Sequence, residues 1–100
     1  MSNVTGTFAA TGQSAVFSPQ GINPVSRPFN LSLWGTFAAT VQLERSFDGA
    51  TWLPLTALGT AVYVFTAPCS ETAEETEMGV VYRLNCTSYT SGTVNYRLSQ

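Results

Sequence analysis

The stretch Val41 to Leu55, VQLERSFDGATWLPL, constrains the fold of this chain more than any other. Val41, Leu43 and Phe47 alternate with Gln42, Glu44 and Ser46, which is the period of a strand with one buried face. Asp48-Gly49 follows, a hairpin dipeptide in which Gly takes positive φ without steric cost. Trp52 and Leu53 open a return strand. Pro54 lies inside it and has no N–H to give to a ladder, so this strand either belongs at a sheet edge or ends early.

The same pattern recurs along the chain. Val4–Ala10, Gln13–Ser18, Phe29–Trp34, Ala38–Phe47, Ala61–Thr66, Val80–Thr87 and Thr93–Ser99 all read as strands. The expected fold class is therefore all-β: a single antiparallel β-sandwich of about seven to eight strands, jelly-roll or immunoglobulin-like. One hundred residues make one domain, 1–100, with room for one core. The inward set takes Phe8, Phe17, Phe29, Leu31, Leu33, Val41, Leu43, Val80, Tyr82, Leu84, Val94, Tyr96 and Leu98, together with Phe47, Trp52, Leu55 and Val64. Residues 18–28, SPQGINPVSRP, hold three prolines and a glycine and read as a long loop or arm. Ala61–Thr66, AVYVFT, is apolar on both faces, as suits a strand covered on both sides. Ala67–Met78 carries Pro68 and the acids Glu71, Glu74, Glu75 and Glu77. It reads as a solvated loop without the ligand spacing of a calcium site.

The last two strands read as a hairpin around 88–92. Facing residues must share an inward or outward sense. Tyr82 opposite Tyr96 and Leu84 opposite Val94 meet that rule and avoid Arg83 facing Arg97, a disfavoured like-charge pair. Two internal echoes, GTFAAT at Gly6–Thr11 and Gly35–Thr40 and Tyr-Arg-Leu at 82–84 and 96–98, raise duplication of a strand unit against simple convergence on strand-favouring residues.

Composition narrows the function. Only 10% of residues are charged, against about 25% in ordinary globular domains. So sparse a charge suits a surface covered by partners. There is no Lys and no His, and the net charge is -2. No basic patch for nucleic acid follows, no His base for catalysis, and no complete zinc set from two cysteines. No G-x-S-x-G elbow occurs. The expectation is no enzyme, no catalytic residue, no cofactor and no metal. Cys69 and Cys86 sit in no metal spacing. A secreted chain could join them in a disulfide; they read instead as free thiols of a cytoplasmically made protein. No stretch approaches the ~20 apolar residues of a membrane helix, and the N-terminus lacks a signal-peptide pattern.

Candidate interface residues are Trp34, Arg45, Tyr63, Phe65 and Tyr89. Arg45 falls in phase with Val41 and Leu43. It either points inward, needing a carboxylate or carbonyls, or snorkels from the strand end. Tyr63 and Phe65 lie on the two-sided apolar run, Tyr89 on a hairpin tip, and Trp34 beyond outward Asn30 and Ser32. Exposed aromatics serve protein contacts and stack on sugars. Asp48, Gly49 and Trp52 form a structural turn. Ser46 to Trp52 resembles the Asp-box, S-x-D-x-G-x-T-W, one residue short; that resemblance implies an Asp capping the turn and a Trp packed beneath it.

FNLSLWGTFAATVQLERSFDGATWLPL and the closing VVYRLNCTSYTSGTVNYRLSQ resemble small virion proteins of tailed bacteriophages, over Phe29 to Gln100. The resemblance implies a compact non-enzymatic β-sandwich or barrel, assembled in the host bacterial cytoplasm and carried in the virion. Such proteins decorate the capsid, join head to tail, or form small tail modules. Implied partners are the major capsid protein and further copies of the chain, with no nucleic acid and no membrane. A carbohydrate-binding module using Trp34, Tyr63 and Tyr89 is the alternative.

Overall fold

The computed structural model describes residues 3–20 and 26–100. The strands are β1 (Asn3–Phe8), β2 (Gly12–Gln13), β3 (Arg27–Trp34), β4 (Phe37–Ser46), β5 (Leu53–Pro54), β6 (Thr56–Ala57), β7 (Thr60–Ala61), β8 (Val64–Phe65), β9 (Cys69–Glu75), β10 (Val81–Gly92) and β11 (Val94–Ser99). They form an antiparallel sandwich. One sheet runs β1-β11-β3-β9; the other runs β2-β10-β4-β5, with β8 also paired to β4. The pair β6-β7 stands apart as a small hairpin.

Alternation builds the core. Phe29, Leu31 and Leu33 of β3 and Val94, Tyr96 and Leu98 of β11 meet Val41 and Leu43 of β4 and Tyr82, Leu84 and Cys86 of β10. Aromatic contact stitches the layers: the Phe29 and Tyr82 rings lie 4.6 Å apart, and Phe17 adds a third ring 5.3 Å from Phe29. Phe17 reaches the core from an irregular edge, where it bridges backbone to backbone with Tyr82.

The all-β sandwich is as expected. The stretch 13–18, expected as a strand, pairs only as Gly12–Gln13 and through the Phe17 bridge, and beyond that the chain departs from the sequence reading in five places. Eleven strands replace seven or eight, because Pro54 and the Leu58-Gly59 turn cut the stretch 53–65 into two-residue pieces. β3 starts at Arg27, so the Pro-rich loop ends one residue before it; its residues 21–25 lie outside the described ones. The acidic segment expected as a loop is β9, with Cys69 and Ala73 turned to the core opposite Leu33 and Phe29. The Asp48-Gly49 turn is not a two-residue hairpin but the tip of a loop over 47–52, since β4 and β5 pair only through Glu44–Pro54 and Arg45–Leu53. Phe47 is consequently exposed, Val64 faces out, and Trp52 and Leu55 are half-buried at the periphery.

The fifth departure is topological. β10 and β11 do not form a hairpin; they lie in different sheets. Tyr82 faces Arg45 and Leu84 faces Leu43, while Tyr96 faces Gly6 and Leu33. Arg83 faces Glu44 rather than Asn95, an opposite-charge pair that the hairpin would have forgone. The chain crosses between sheets at Gly92, whose φ of +87° brings its backbone against that of Thr36 and Phe37. The two GTFAAT echoes do not occupy equivalent places: the first ends β1, whereas the second opens β4.

Candidate interaction surface

One edge of the five-stranded sheet is built by residues 53–65. β5 and β8 pair with different parts of β4, and between them Leu43 N donates to Tyr63 O at 3.0 Å. The β6–β7 hairpin leaves the sheet here, turning through Leu58 and Gly59, both with positive φ. Leu58 stands fully exposed at its tip.

A cleft of about 470 Å³ opens between this edge and β9 of the other sheet. Leu53, Leu55, Val62 and Tyr63 give it apolar lining, and Arg45, Glu75 and Tyr82 give it polar groups. Arg45 Nε and Nη2 both donate to Glu75 Oε1, at 3.0 and 2.7 Å. The Tyr82 hydroxyl donates to the same oxygen at 2.6 Å, and the Glu77 amide donates to Oε2 at 2.8 Å. Arg45 and Tyr82 face each other in one sheet while Glu75 ends a strand of the other. The cluster therefore clamps the two layers at one end of the sandwich. Buried Arg27 pins the chain beyond Glu75 by donating to Glu77 O and Met78 Sδ.

Burial pushes the Glu75 carboxyl up, but hydrogen bonds from Tyr82, Arg45 and the Glu77 amide outweigh it and hold the group below its ordinary value. Burial and the bond to Glu75 raise the Tyr82 hydroxyl well above its ordinary value. Burial depresses Arg45, but its bonds to Glu75 and Tyr82 prevail and raise it.

A second buried carboxylate lies on the outer face of the same sheet. Glu44 accepts from Asn85 at 3.0 Å, Gln42 at 2.5 Å and Arg83 at 2.8 Å. Burial again opposes ionisation, and these three bonds, with the Arg83 charge, overcome it and lower the Glu44 carboxyl. The Arg83 guanidinium lies 4.4 Å from the Trp52 ring centroid. Both buried carboxylates thus stay ionised at neutral pH and are spoken for by donors. They suit holding a structure rather than moving a proton.

Arg45 takes the first of its two readings, inward with a carboxylate partner, although a third of its side chain remains exposed. The partner is Glu75, not neighbouring Glu44 or Asp48. Arg45 and Tyr63 share the cleft. Phe65 lies beside Tyr63, ring centroids 6.1 Å apart, half-buried against the core. Trp34 sits at the end of β3 in the other sheet, about half exposed. Tyr89 lies on β10 opposite Ala39, its hydroxyl donating to Gly92 O at 2.6 Å. Tyr63 and Tyr89 flank opposite sides of β4, so Trp34, Tyr63 and Tyr89 do not line up on one strand or in one sheet. Leu53, Val62, Glu75 and Tyr82 were not anticipated in this surface.

The Ser46–Trp52 loop has its Asp at the centre. Asp48 Oδ1 accepts from the Ala50 and Thr51 amides at 2.8 and 2.7 Å and from the Ser46 hydroxyl at 3.0 Å; Oδ2 accepts from the Thr51 hydroxyl at 3.0 Å. The amide bonds from Thr51 and Ala50 hold its carboxyl far below the usual carboxylate range. Cys69 and Cys86 are free thiols. Among the described residues no three metal-ligating side chains come together, and no helix is long and apolar enough to cross a membrane. No protein-family model matches the chain, and no curated protein or solved structure matches it.

Proposed function

We propose that this chain is a structural protein of a tailed-bacteriophage virion, a capsid decoration subunit that binds the major capsid protein by surface contact and performs no chemistry. The observation that carries the reading is the clustering of exposed apolar side chains on one edge. Leu53, Leu58, Val62 and Val64 are each at least 41% exposed and lie within twelve residues of one another on the 53–65 segment. Leu53 and Val62 line the cleft anchored by the Arg45–Glu75–Tyr82 clamp, and Val64, opposite Gln42, stands on the outer face of the same edge. Exposed apolar groups gathered beside a concavity mark protein contact surfaces. The phage reading adds the resemblance over Phe29 to Gln100 and the shortage of charged residues. A rigid sandwich with an apolar rim would add buried area at each capsomer junction, and many weak contacts would stabilise the shell by avidity.

The test is titration onto purified undecorated heads. Saturable binding in hundreds of copies is expected, and Leu53→Asp with Val62→Asp should weaken it strongly while leaving the circular dichroism unchanged. Absence of saturable binding by the unaltered chain would rule the proposal out.

A further inference from the structure

β1 is the outer strand of the four-stranded sheet. β11 pairs with one side of it, and no described strand pairs with the other. In an antiparallel strand alternate residues turn both backbone groups away from the neighbour, so β1 carries a row of unpaired donors and acceptors. Open edges of this kind template strand addition, and proteins ordinarily blunt them with charge, proline or brevity. The other described edges are charged, short or bulged. β9 carries Glu71 and Glu74, β5 is two residues long and contains Pro54, and β2 and β8 are also two residues long. The one-sided stretches of β4 over 37–40 and β10 over 87–92 lie where bulges interrupt the ladder between them, and bulges twist an edge away from further pairing. β1 has six residues, Asn-Val-Thr-Gly-Thr-Phe, with no charge and no proline.

We propose that β1 pairs antiparallel with β1 of a second copy, joining two four-stranded sheets into one continuous sheet across a two-fold axis. Charge selects the occupant. The molecule is net negative, and its other long edge is acidic, so β9 against β9 would set carboxylates face to face. β1 against β1 brings two uncharged edges together and closes the assembly, whereas β1 against β9 would propagate head to tail.

The register follows from facing sense. Opposed residues must share a face, so position numbers across the pair add to an even number. A sum of twelve sets Val4 opposite the partner's Phe8 on the core side, Thr5 opposite the partner's Thr7 outside, and Gly6 on the axis. Apolar and Thr–Thr cross-strand pairs of that kind are favourable. Gly6 suits the axis for a second reason. The Tyr96 ring covers it, its hydroxyl 2.5 Å from where a Cβ would stand, and that hydroxyl has no hydrogen-bond partner among the described residues. Pairing brings the two Tyr96 hydroxyls to either side of the axis. The alternative sum of ten leaves Gly6 opposite Val4, where no side chain answers the valine.

The inference rests on the reading of this chain as an assembly subunit but uses a different surface from the 53–65 edge. Sedimentation equilibrium of the full chain tests it. The expected result is a species of twice the 10.7 kDa chain mass. Thr5→Lys with Thr7→Lys, both exposed positions, should halve the mass with unchanged circular dichroism; Glu71→Lys on the opposite edge should leave it intact. Mixed Thr5→Cys and Thr7→Cys chains should cross-link to each other under oxidation. A monomeric unaltered chain at millimolar concentration, or a dimer that survives the double lysine change, overturns the pairing; self-linking of Thr5→Cys alone overturns the register. A monomer that still saturates heads would sink this inference only, and a dimer that never binds heads would sink only the decoration reading.

Discussion

The inter-sheet clamp makes an asymmetric prediction. Arg45→Met removes the cation and leaves Glu75, whose side chain is 3% exposed, as an uncompensated charge. Breaking a buried pair in this way costs about 3–5 kcal/mol. Glu75 keeps its bonds from Tyr82 and the Glu77 amide, which places the cost near the low end, about 3 kcal/mol. Glu75→Gln leaves the opposite orphan. The Arg45 side chain is 33% exposed and can turn to water, so the loss is the exchange of charge-assisted for neutral hydrogen bonds, about 1–1.5 kcal/mol. The double variant should lose about 1.5 kcal/mol, less than Arg45→Met alone, because no buried charge remains. Urea unfolding followed by far-ultraviolet circular dichroism reads this directly. With a slope of roughly 1 kcal/mol per molar for a small domain, the midpoints should drop by about 3 M and 1 M for the two single variants. The deficit of Arg45→Met should also shrink as pH falls, since a carboxyl without its cation protonates more readily. Equal losses for the two single variants, or a larger loss for Glu75→Gln, would refute the reasoning.

The pH profile of stability should have two shoulders. Glu44 and Glu75 lie below their ordinary 4.5 when folded, so their contribution is complete above that pH and is lost as pH falls through the folded values. Tyr82 lies above its ordinary 10.0, so its contribution is complete below that pH and is lost as pH rises past it; denaturant midpoints from pH 3 to 11 would trace both. Gly92→Ala should cost well over 1 kcal/mol, because a Cβ there would sit 2.2 Å from Thr36 O in a positive-φ residue, and thermal melting measures it. Trp52→Ala should cost about 1 kcal/mol through loss of the ring under Arg83, read as a denaturant midpoint. Asp48→Ala should strip protection from the Ala50 and Thr51 amides in hydrogen exchange, leaving β3 and β11 amides protected.

Strand alternation made most of the core legible. Phe29, Leu31, Leu33, Val41, Leu43, Tyr82, Leu84 and Leu98 all fall where a period of two puts them. Pairing was not legible, because Tyr-Arg-Leu has the same inward and outward pattern in β10 and β11. Either strand could meet any partner with apolar residues at alternate positions, and only the charge of Glu44 separates the true neighbour of Arg83 from a tolerable one. The Asp48 cap could be read because its bonds are local. The partner of Arg45 could not be, since Glu75 is thirty residues away. One signal did exist: an inward-phased arginine demands an inward carboxylate, and Glu75 stands in phase with Ala73 and Cys69 if 69–75 is a strand.

The segments that local patterning misplaced, 53–65 and 69–75, are the two that bound the cleft. Each answers to two demands at once. β9 must alternate for its sheet yet carry acids along an edge, so composition makes it look like solvated loop. The 61–66 run is apolar on both sides, yet the sandwich covers only Tyr63 and Phe65, leaving Val62 and Val64 about half exposed. A chain selected for stability alone would have polar residues at those two positions, as it does at Asn30 and Ser32 on β3. Residues that break the pattern of their own fold without stabilising it point to a requirement outside the fold, and an apolar rim beside an open cleft is the form a contact requirement takes.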